Sequence, residues 1–299
     1  MEVMFADLTH LAEEAWLPRA ADHRERVTRF AAPFLERRSA GRKHPVEDFL
    51  FTYYTEKPGR LQRWYPGTGV VLHGNAATER LGWKHHRAEA EGVVFDAAAF
   101  VAERRRTVEH ARSILAGAAA NPARFSCFGL HEWAMAYRSE ENGIRHDYLP
   151  LRLGSAGTDA VVEGHRIRCT HIDAFRFYTP QAVPLNELHP TRETQAAMDQ
   201  PGCLHANMDL YKWAYKLSAA VPGELLLATF ELAWEIRAMD MRASPYDLGD
   251  WGYTPIRIET PEGKAEYVEL QKDFAARSAV LRGRLLDIAE DLLASPAHS

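Results

Sequence analysis

The chain has 299 residues, of which 46% are hydrophobic and 26% are charged, and its formal net charge is −5. This composition is that of an ordinary globular protein, and no apolar run approaches the roughly 20 residues that a membrane-spanning helix needs. The acidic N-terminus lacks the basic start and apolar stretch of a secretory signal, so we expect a cytoplasmic protein with no membrane partner. The negative net charge also argues against tight, nonspecific binding of nucleic acid.

Apolar residues at helical spacing, together with capping residues and helix breakers, predict helices along most of the chain. Asp22 and Asp96 are candidate N-caps, and Asn121-Pro122 is a candidate helix end. The predicted helices cover residues 23–38, 96–119, 125–138, 203–217, 222–240 and 262–294.

Extended structure is predicted only for short pieces between these helices. Alternating side chains or paired β-branched residues indicate strands at Val70–Leu72, Val161–Val162, His165–Cys169 and Pro255–Glu259. Residues 139–159 carry turn signals and are predicted to form a loop.

The order of these elements predicts the fold class. Strands do not alternate with helices, which argues against a Rossmann or TIM-barrel fold. We therefore predict a mainly α protein, α+β with a few short strands, built as a compact multi-helix domain. It is expected to be one domain over residues 1–299, with a helical N-terminal part over residues 1–120 and a site-bearing part over residues 121–299.

The three cysteines, Cys127, Cys169 and Cys203, are widely spaced and form no Cys-x-x-Cys pair. An odd number at such spacing predicts neither a disulfide framework nor a thiolate zinc site. We expect small buried side chains. Cys203 is the exception, because it stands at the start of a predicted helix whose dipole would lower the pKa of its thiol.

The segment from His165 to Lys216 concentrates imidazoles, carboxylates and aromatic rings. His171 and Asp173 point to the same side of an extended chain, and His205 and Asp209 share one face of a helix. These four side chains are candidate ligands for zinc, manganese or iron, so a divalent metal is a possible cofactor. They suit metal-free acid–base catalysis equally well, and a satisfied polar network is the alternative without any activity.

Glu132 is a further candidate catalytic carboxylate. It lies in the apolar sequence HEWAMAYR beside Trp133, where a general acid would be shielded from water. A buried Glu–Arg ion pair is the alternative.

Basic and aromatic residues around these candidates predict a substrate-binding surface. The arginines could hold a phosphate or carboxylate group through paired hydrogen bonds, and the aromatic rings could form a slot for a planar group. The candidates are Arg166, Arg168, Arg176, Phe177, Tyr211, Lys212 and Trp213.

Five strings of the chain resemble a family of bacterial, largely actinobacterial, proteins that are commonly labelled 3-methyladenine DNA glycosylase. They are KHPVEDFLFTYY, CFGLHEWAMAYR, RCTHIDAFRFYTP, PGCLHANMDLYKWAYKL and MRASPYDL. The resemblance implies base excision, which needs an aromatic slot for the extruded base and a carboxylate that activates water. Pro201-Gly202 lacks the second glycine of a helix-hairpin-helix, the element with which one helical class of glycosylases grips DNA.

Three hypotheses about function follow. The first is hydrolysis of an N-glycosidic bond in a damaged base or a nucleoside-like heterocycle, with Asp173 or Asp209 as the base, His171 and His205 assisting, and DNA as a possible partner. The second is a metal-dependent oxygenase or hydrolase acting on a small molecule. The third is a non-enzymatic protein that binds a small ligand or cofactor. Nucleotide-driven phosphoryl transfer and serine catalysis lack their motifs in this sequence.

Overall fold

The computed structural model describes residues 8–90 and 92–294, and within these residues the fold is mainly helical. The helices are α1 Glu13–Ser39, α2 Phe49–Tyr53, α3 Pro58–Leu61, α4 Ala97–Ala120, α5 Leu130–Met135, α6 Ser139–Asn142, α7 Gly154–Glu163, α8 Ile172–Phe175, α9 Gln195–Met198, α10 Leu204–Lys216, α11 Gly223–Arg242 and α12 Pro261–Ala294. Short 3-10 segments lie at Asn75–Gly82, Val183–Leu185 and Gly249–Trp251.

A small four-stranded sheet accompanies the helices. Its strands are β1 Thr9–Leu11, β2 Val70–His73, β3 His86–Glu89 and β4 Gly92–Phe95, in the order β1-β2-β4-β3. β1 runs parallel to β2 with Thr9 opposite Val70, whereas β4 runs antiparallel to both β2 and β3. The predicted mainly α class with a few short strands is confirmed.

The chain divides into two compact units, each of which draws on several segments. Unit 1 takes its described residues from Met1–Arg112, Tyr211–Glu231 and Arg284–Ser299, and it contains the sheet. Unit 2 consists of Ser113–Leu210 and Leu232–Gly283. Among the buried apolar side chains of unit 1 is a cluster of Trp16, Trp64, Leu72, Ala77 and Val93.

Several predicted helices agree closely with the structure because their signals are local. Asp96 caps α4 through a 2.8 Å hydrogen bond from the backbone N–H of Ala99, as a side-chain N-cap should. α10, α11 and α12 begin and end within two residues of their predicted bounds. α1 differs, since it begins at Glu13 and runs through Asp22 instead of being capped there.

Of the four short extended pieces predicted, Val70–Leu72 is confirmed by β2, His165–Cys169 is confirmed only in part, and the other two form no strand. Val161 and Val162 lie buried on one side of helix α7, so packing overrides the strand preference of β-branched residues. Pro255–Glu259 has buried isoleucines at Ile256 and Ile258 but forms no ladder with a described strand. His165–Cys169 contributes a single bridge, between Ile167 and Asn186.

The predicted loop over residues 139–159 is also wrong in part, because α6 and the first half of α7 lie there. The predicted helix over residues 125–138 is shorter than expected. Gly129 adopts a left-handed conformation with φ of 71°, so α5 begins only at Leu130.

We predict that Gly129→Ala destabilises the protein by about 2–3 kcal/mol. A side chain there must adopt a strained left-handed backbone, and its Cβ would lie 3.3 Å from the ring of Tyr267. Gly252→Ala is the matched control, because Gly252 is also left-handed, with φ of 80° and ψ of 14°, and nothing lies within 4 Å of the added Cβ. It should cost only the backbone strain, about 1 kcal/mol. Urea unfolding measures both, and equal losses would contradict the predicted clash.

Candidate functional site: two histidine–carboxylate clusters in unit 2

Helix α5 places His131 and Glu132 in the interior of unit 2. All six of its residues are buried, and residues with left-handed backbone stand at both sides, Phe128 with φ of 48° and Arg138 with φ of 51°. Such conformations are costly for residues with side chains and persist only where surrounding contacts hold them. The helix is therefore held in place by its tertiary contacts, among them a 2.8 Å hydrogen bond from Trp133 Nε1 to the carbonyl of Ala243.

His131 forms a buried ion pair with Asp240 of α11. Its Nε2 lies 3.0 and 3.2 Å from the two carboxylate oxygens, and the two side chains are 3% and 0% exposed. Burial opposes the charge on His131, but Asp240 outweighs it and raises the pKa of the imidazole well above its ordinary value. In return His131 overcomes the effect of burial on Asp240 and lowers the pKa of that carboxyl to about 2.

Glu132 forms a second buried ion pair, with Arg237 of α11. The distance from Arg237 Nη1 to Glu132 Oε1 is 2.8 Å, and Arg237 Nη1 also lies 3.8 Å from Asp240. Glu132 is thus a charge partner, which is the arrangement that the sequence offered as the alternative to a general acid. Removing either member would leave the other charge buried and uncompensated.

His205, on α10, lies between two other imidazoles. Its ring meets that of His131 edge to face with centroids 4.5 Å apart, and it stacks on His171 at 5.5 Å. Burial lowers the pKa of His205 well below its ordinary value, and the positive charge on His131 adds to this. The central imidazole is therefore neutral at physiological pH, with a ring nitrogen that can act as a ligand or a base.

His171 is oriented by a chain of side chains. Its Nδ1 lies 2.8 Å from Asp199, which accepts a 3.0 Å hydrogen bond from Gln195, and its Nε2 lies 3.6 Å from Asp209. A carboxylate on one ring nitrogen fixes the tautomer and the direction of the other nitrogen. This is the arrangement that metal ligands and catalytic bases both require.

Asp173, the remaining predicted carboxylate, is bound by two arginines. Arg192 bonds both of its oxygens, and Arg176 lies 3.0 Å from one of them. The two guanidinium groups compensate its negative charge. As long as these bonds hold, Asp173 is poorly placed to serve as a base or as a ligand.

The predicted metal set is divided between two clusters in the structure. His171, Asp173 and Asp209 come together with ligand atoms within 4.8 Å of one another. His205 instead joins His131 and Asp240 at the same spacing. His131 and Asp240 are not members of the predicted set, because they are 109 residues apart and no local spacing connects them.

A small cavity of about 20 Å³ borders His131 and His205, room for about one water molecule. All three cysteines line it, with Cys127 Sγ 3.6 Å from His131 Nδ1. Burial raises the pKa of Cys169 to about 11 and that of Cys203 well above its ordinary value. The expected lowering of the Cys203 pKa is therefore wrong, because desolvation outweighs the helix dipole.

A second cavity, a cleft of about 230 Å³, adjoins the small one. The two share the lining residues Arg124, Thr170 and Gln200. Gln200 is held in place by hydrogen bonds with the backbone of Arg124 and with the N–H of Gly202. The three shared residues therefore form the wall between this cleft and the small cavity that borders His131 and His205.

The predicted substrate-binding residues do not gather around this cleft as a group. Arg166 and Arg168 both pair with Glu187, although Arg168 also lines the small cavity. Phe177 lies under the guanidinium groups of Arg145 and Arg176. In unit 1, Tyr211 is 0% and Trp213 3% exposed, and Lys212 lies over the ring of Trp213.

Comparison of the chain with protein-family models, with curated proteins and with solved structures gives no match. Within residues 8–90 and 92–294, none of the helices combines the length and the apolar character that crossing a membrane requires.

We predict that Arg237→Met lowers the free energy of unfolding by about 3–5 kcal/mol, because Glu132 would remain charged and buried without its main partner. The double variant Glu132→Met with Arg237→Met should recover much of this loss, since it removes both charges. Chemical denaturation of the two variants measures the difference. A double variant as unstable as Arg237→Met would show that packing, and not the isolated charge, causes the loss.

A second prediction concerns pH. Burial lowers the pKa of His146 to about 4, and the charge of Arg237 contributes to the shift. The unfolded chain takes up this proton near pH 6.5, so the stabilisation is complete above about 6.5 and is lost as the pH falls toward about 4. His146→Phe should lose stability less steeply in this interval, by up to about 1.4 kcal/mol per pH unit. Urea unfolding curves at several pH values measure the slopes, and identical slopes would contradict the assignment.

Proposed function

We propose that this protein is a metal-dependent hydrolase. His131, His205 and Asp240 hold its single divalent ion. The observation that carries the proposal is the approach of their three ligand atoms to within 4.8 Å of one another beside a cavity. Two imidazoles and one carboxylate are the ligand set of both catalytic zinc and non-haem iron sites. A ligating imidazole is neutral, so a metal ion would displace the proton of His131, which would leave to solvent. Three protein ligands leave coordination positions for water and substrate.

The cluster around His205 suits this role better than the cluster around Asp173. Asp173 already bonds Arg192 and Arg176, whereas Asp240 has His131 as its close partner and Arg237 only at 3.8 Å. Glu132 also bonds Arg237, which reduces the positive charge that an incoming metal ion would meet. In addition, His131 and His205 both border the cavity in which an activated water would lie.

The surroundings support hydrolysis of a small anionic molecule. A metal ion lowers the pKa of bound water and so supplies hydroxide at neutral pH. Hydrolysis adds the hydroxyl group of that water to the electrophilic atom and its proton to the leaving group. The 230 Å³ cleft would receive the substrate, and Arg124 supplies positive charge at the wall between the cleft and the cavity. A protein of this kind would work in the cytoplasm on a small molecule.

Hydrolysis of an N-glycosidic bond belongs to the reactions that such a site could perform, and nucleosides and alkylated DNA are therefore among the substrates to test. The metal-free form of that reaction has less support. One of its two candidate bases, Asp173, is bound by arginines, and one of its candidate slot residues, Tyr211, is packed against Tyr54 and Phe230. The identity of the bound ion separates the two metal-dependent reactions, since zinc favours hydrolysis and iron favours oxygenation.

We predict that the purified protein contains close to one equivalent of zinc or iron, measured by elemental analysis. His205→Gln and Asp240→Asn should reduce the metal content at least about tenfold, because a site with one ligand missing binds far more weakly. His171→Gln and Asp209→Asn are matched controls from the other cluster and should retain the metal. Circular dichroism confirms that each variant is folded.

The activity test uses the metal-loaded protein with free nucleosides, alkylated DNA and small phosphate and carboxylate esters. Release of product that a chelator abolishes and added metal restores supports the proposal. If the folded protein binds no divalent ion after chelation and reloading, the proposed metal site does not exist. Loss of metal in His171→Gln alone would assign the site to the other cluster.

A further inference from the structure

Unit 1 contains a cavity of about 490 Å³ whose lining is rich in tryptophan and arginine. It is formed by α1, α3 and the 3-10 segment Asn75–Gly82, with residues that follow each of the latter two. The volume lies within the range of small-molecule binding sites. None of its lining residues belongs to the proposed metal site.

The three indoles of this cavity, from Trp16, Trp64 and Trp83, are its aromatic walls. The rings of Trp16 and Trp64 are parallel within 3°, with centroids 6.4 Å apart. Their N–H groups are bonded, that of Trp16 to the carbonyl of His73 at 2.9 Å and that of Trp64 to Glu224 at 2.9 Å. These bonds fix the orientation of both rings, so the walls are formed before any ligand arrives.

Arg80 lies at the centre of the aromatic walls. Its guanidinium carbon is 4.9 Å from the ring centre of Trp16, 5.5 Å from that of Trp64 and 4.6 Å from that of Trp83. Its Nη1 donates a 2.6 Å hydrogen bond to the carbonyl of Trp64. Arg80 is only 5% exposed, yet it forms no ion pair with any carboxylate of residues 8–90 and 92–294.

A buried guanidinium without a carboxylate is unusual, because removing a charge from water is costly unless an opposite charge compensates it. Burial lowers the pKa of Arg80 to about 10, so the group still carries its charge at neutral pH. The faces of the three indoles offset part of the cost by cation–π attraction. The remaining positive charge faces the cavity and attracts an anion.

The rest of the lining has the same sign. Arg24 and Arg63 are exposed at the cavity, and Glu79 is the acidic residue among its lining. Three arginines against one glutamate make the cavity positive, although the whole chain carries a net charge of −5. A local field opposite to that of the protein concentrates small anions at this place.

We propose that this tryptophan–arginine cavity binds a small anion that carries a planar aromatic ring, with the chemistry of a nucleoside monophosphate. The arginines bind the phosphate group, for which the planar fork of a guanidinium is well suited. The indole of Trp83, which is only partly buried, stacks on the ring, as aromatic side chains do with nucleobases. The proposal is independent of the metal site, since the two use different residues.

The test is a fluorescence titration of the full-length protein, because three tryptophans line the cavity and report on its occupant. Adenosine monophosphate, adenosine and inorganic phosphate are titrated separately. We expect saturable quenching by adenosine monophosphate and at least tenfold weaker binding of adenosine and of phosphate, since each lacks half of the recognised groups. No saturable quenching by adenosine monophosphate, or equal affinity for phosphate alone, would overturn the proposal.

Variants assign the site to its residues. Arg80→Lys keeps the charge but loses the planar fork, and Arg24→Gln with Arg63→Gln removes two exposed charges without disturbing the core. Each should weaken the binding of adenosine monophosphate at least tenfold. Arg106→Gln, an exposed arginine of α4 outside the lining, is the matched control and should bind normally. Unchanged affinity in the folded double variant would overturn the proposal even if Arg80→Lys failed to fold.

Discussion

Charges buried in the interior of unit 2 need partners there, and the ion pair between His131 and Asp240 is the one on which the others depend. It joins α5 to α11, where Asp240 and Arg237 are three residues apart on one face. The same face lets Arg237 bond Glu132, so two adjacent residues of α5 meet two charges of opposite sign on α11. The charges of both ion pairs are compensated only when α5 and α11 lie in one relative position, and the two pairs therefore hold the helices in that position. Burial lowers the pKa of the neighbouring His205, the positive charge of His131 adds to this, and His205 is kept neutral.

Helix α5 illustrates how such a site is supported. Six residues make little stable helix by themselves, because nucleation costs more than so few hydrogen bonds return. Its stability comes from contacts with other elements, including the bond of Trp133 to Ala243 and the packing of Gly129 against the ring of Tyr267. A helix held this way presents His131 in a fixed direction, which a ligand or catalytic group requires.

The two units carry different chemistry. Unit 2 brings together imidazoles, carboxylates and thiols around a cavity large enough for about one water, a setting for a metal ion. Unit 1 brings together indoles and guanidinium groups around a much larger cavity, a setting for a planar anion. Both units contain buried charged groups. In unit 2, His131 and Glu132 each have a partner of opposite sign, whereas Arg80 in unit 1 has aromatic faces and a carbonyl instead.

The sequence by itself determined the helical class of this protein and most of the bounds of α4, α10, α11 and α12, because apolar periodicity and a cap such as Asp96 act between residues that are near in the chain. It also showed that His171, Asp173, His205 and Asp209 are an unusual concentration of reactive groups. Only the tertiary structure decided which histidine meets which carboxylate, that three distant cysteines share one cavity, and that Arg80 lies among three tryptophans. These contacts join residues far apart in the chain, and they form because packing and the pairing of buried charges bring them together, which no local spacing encodes.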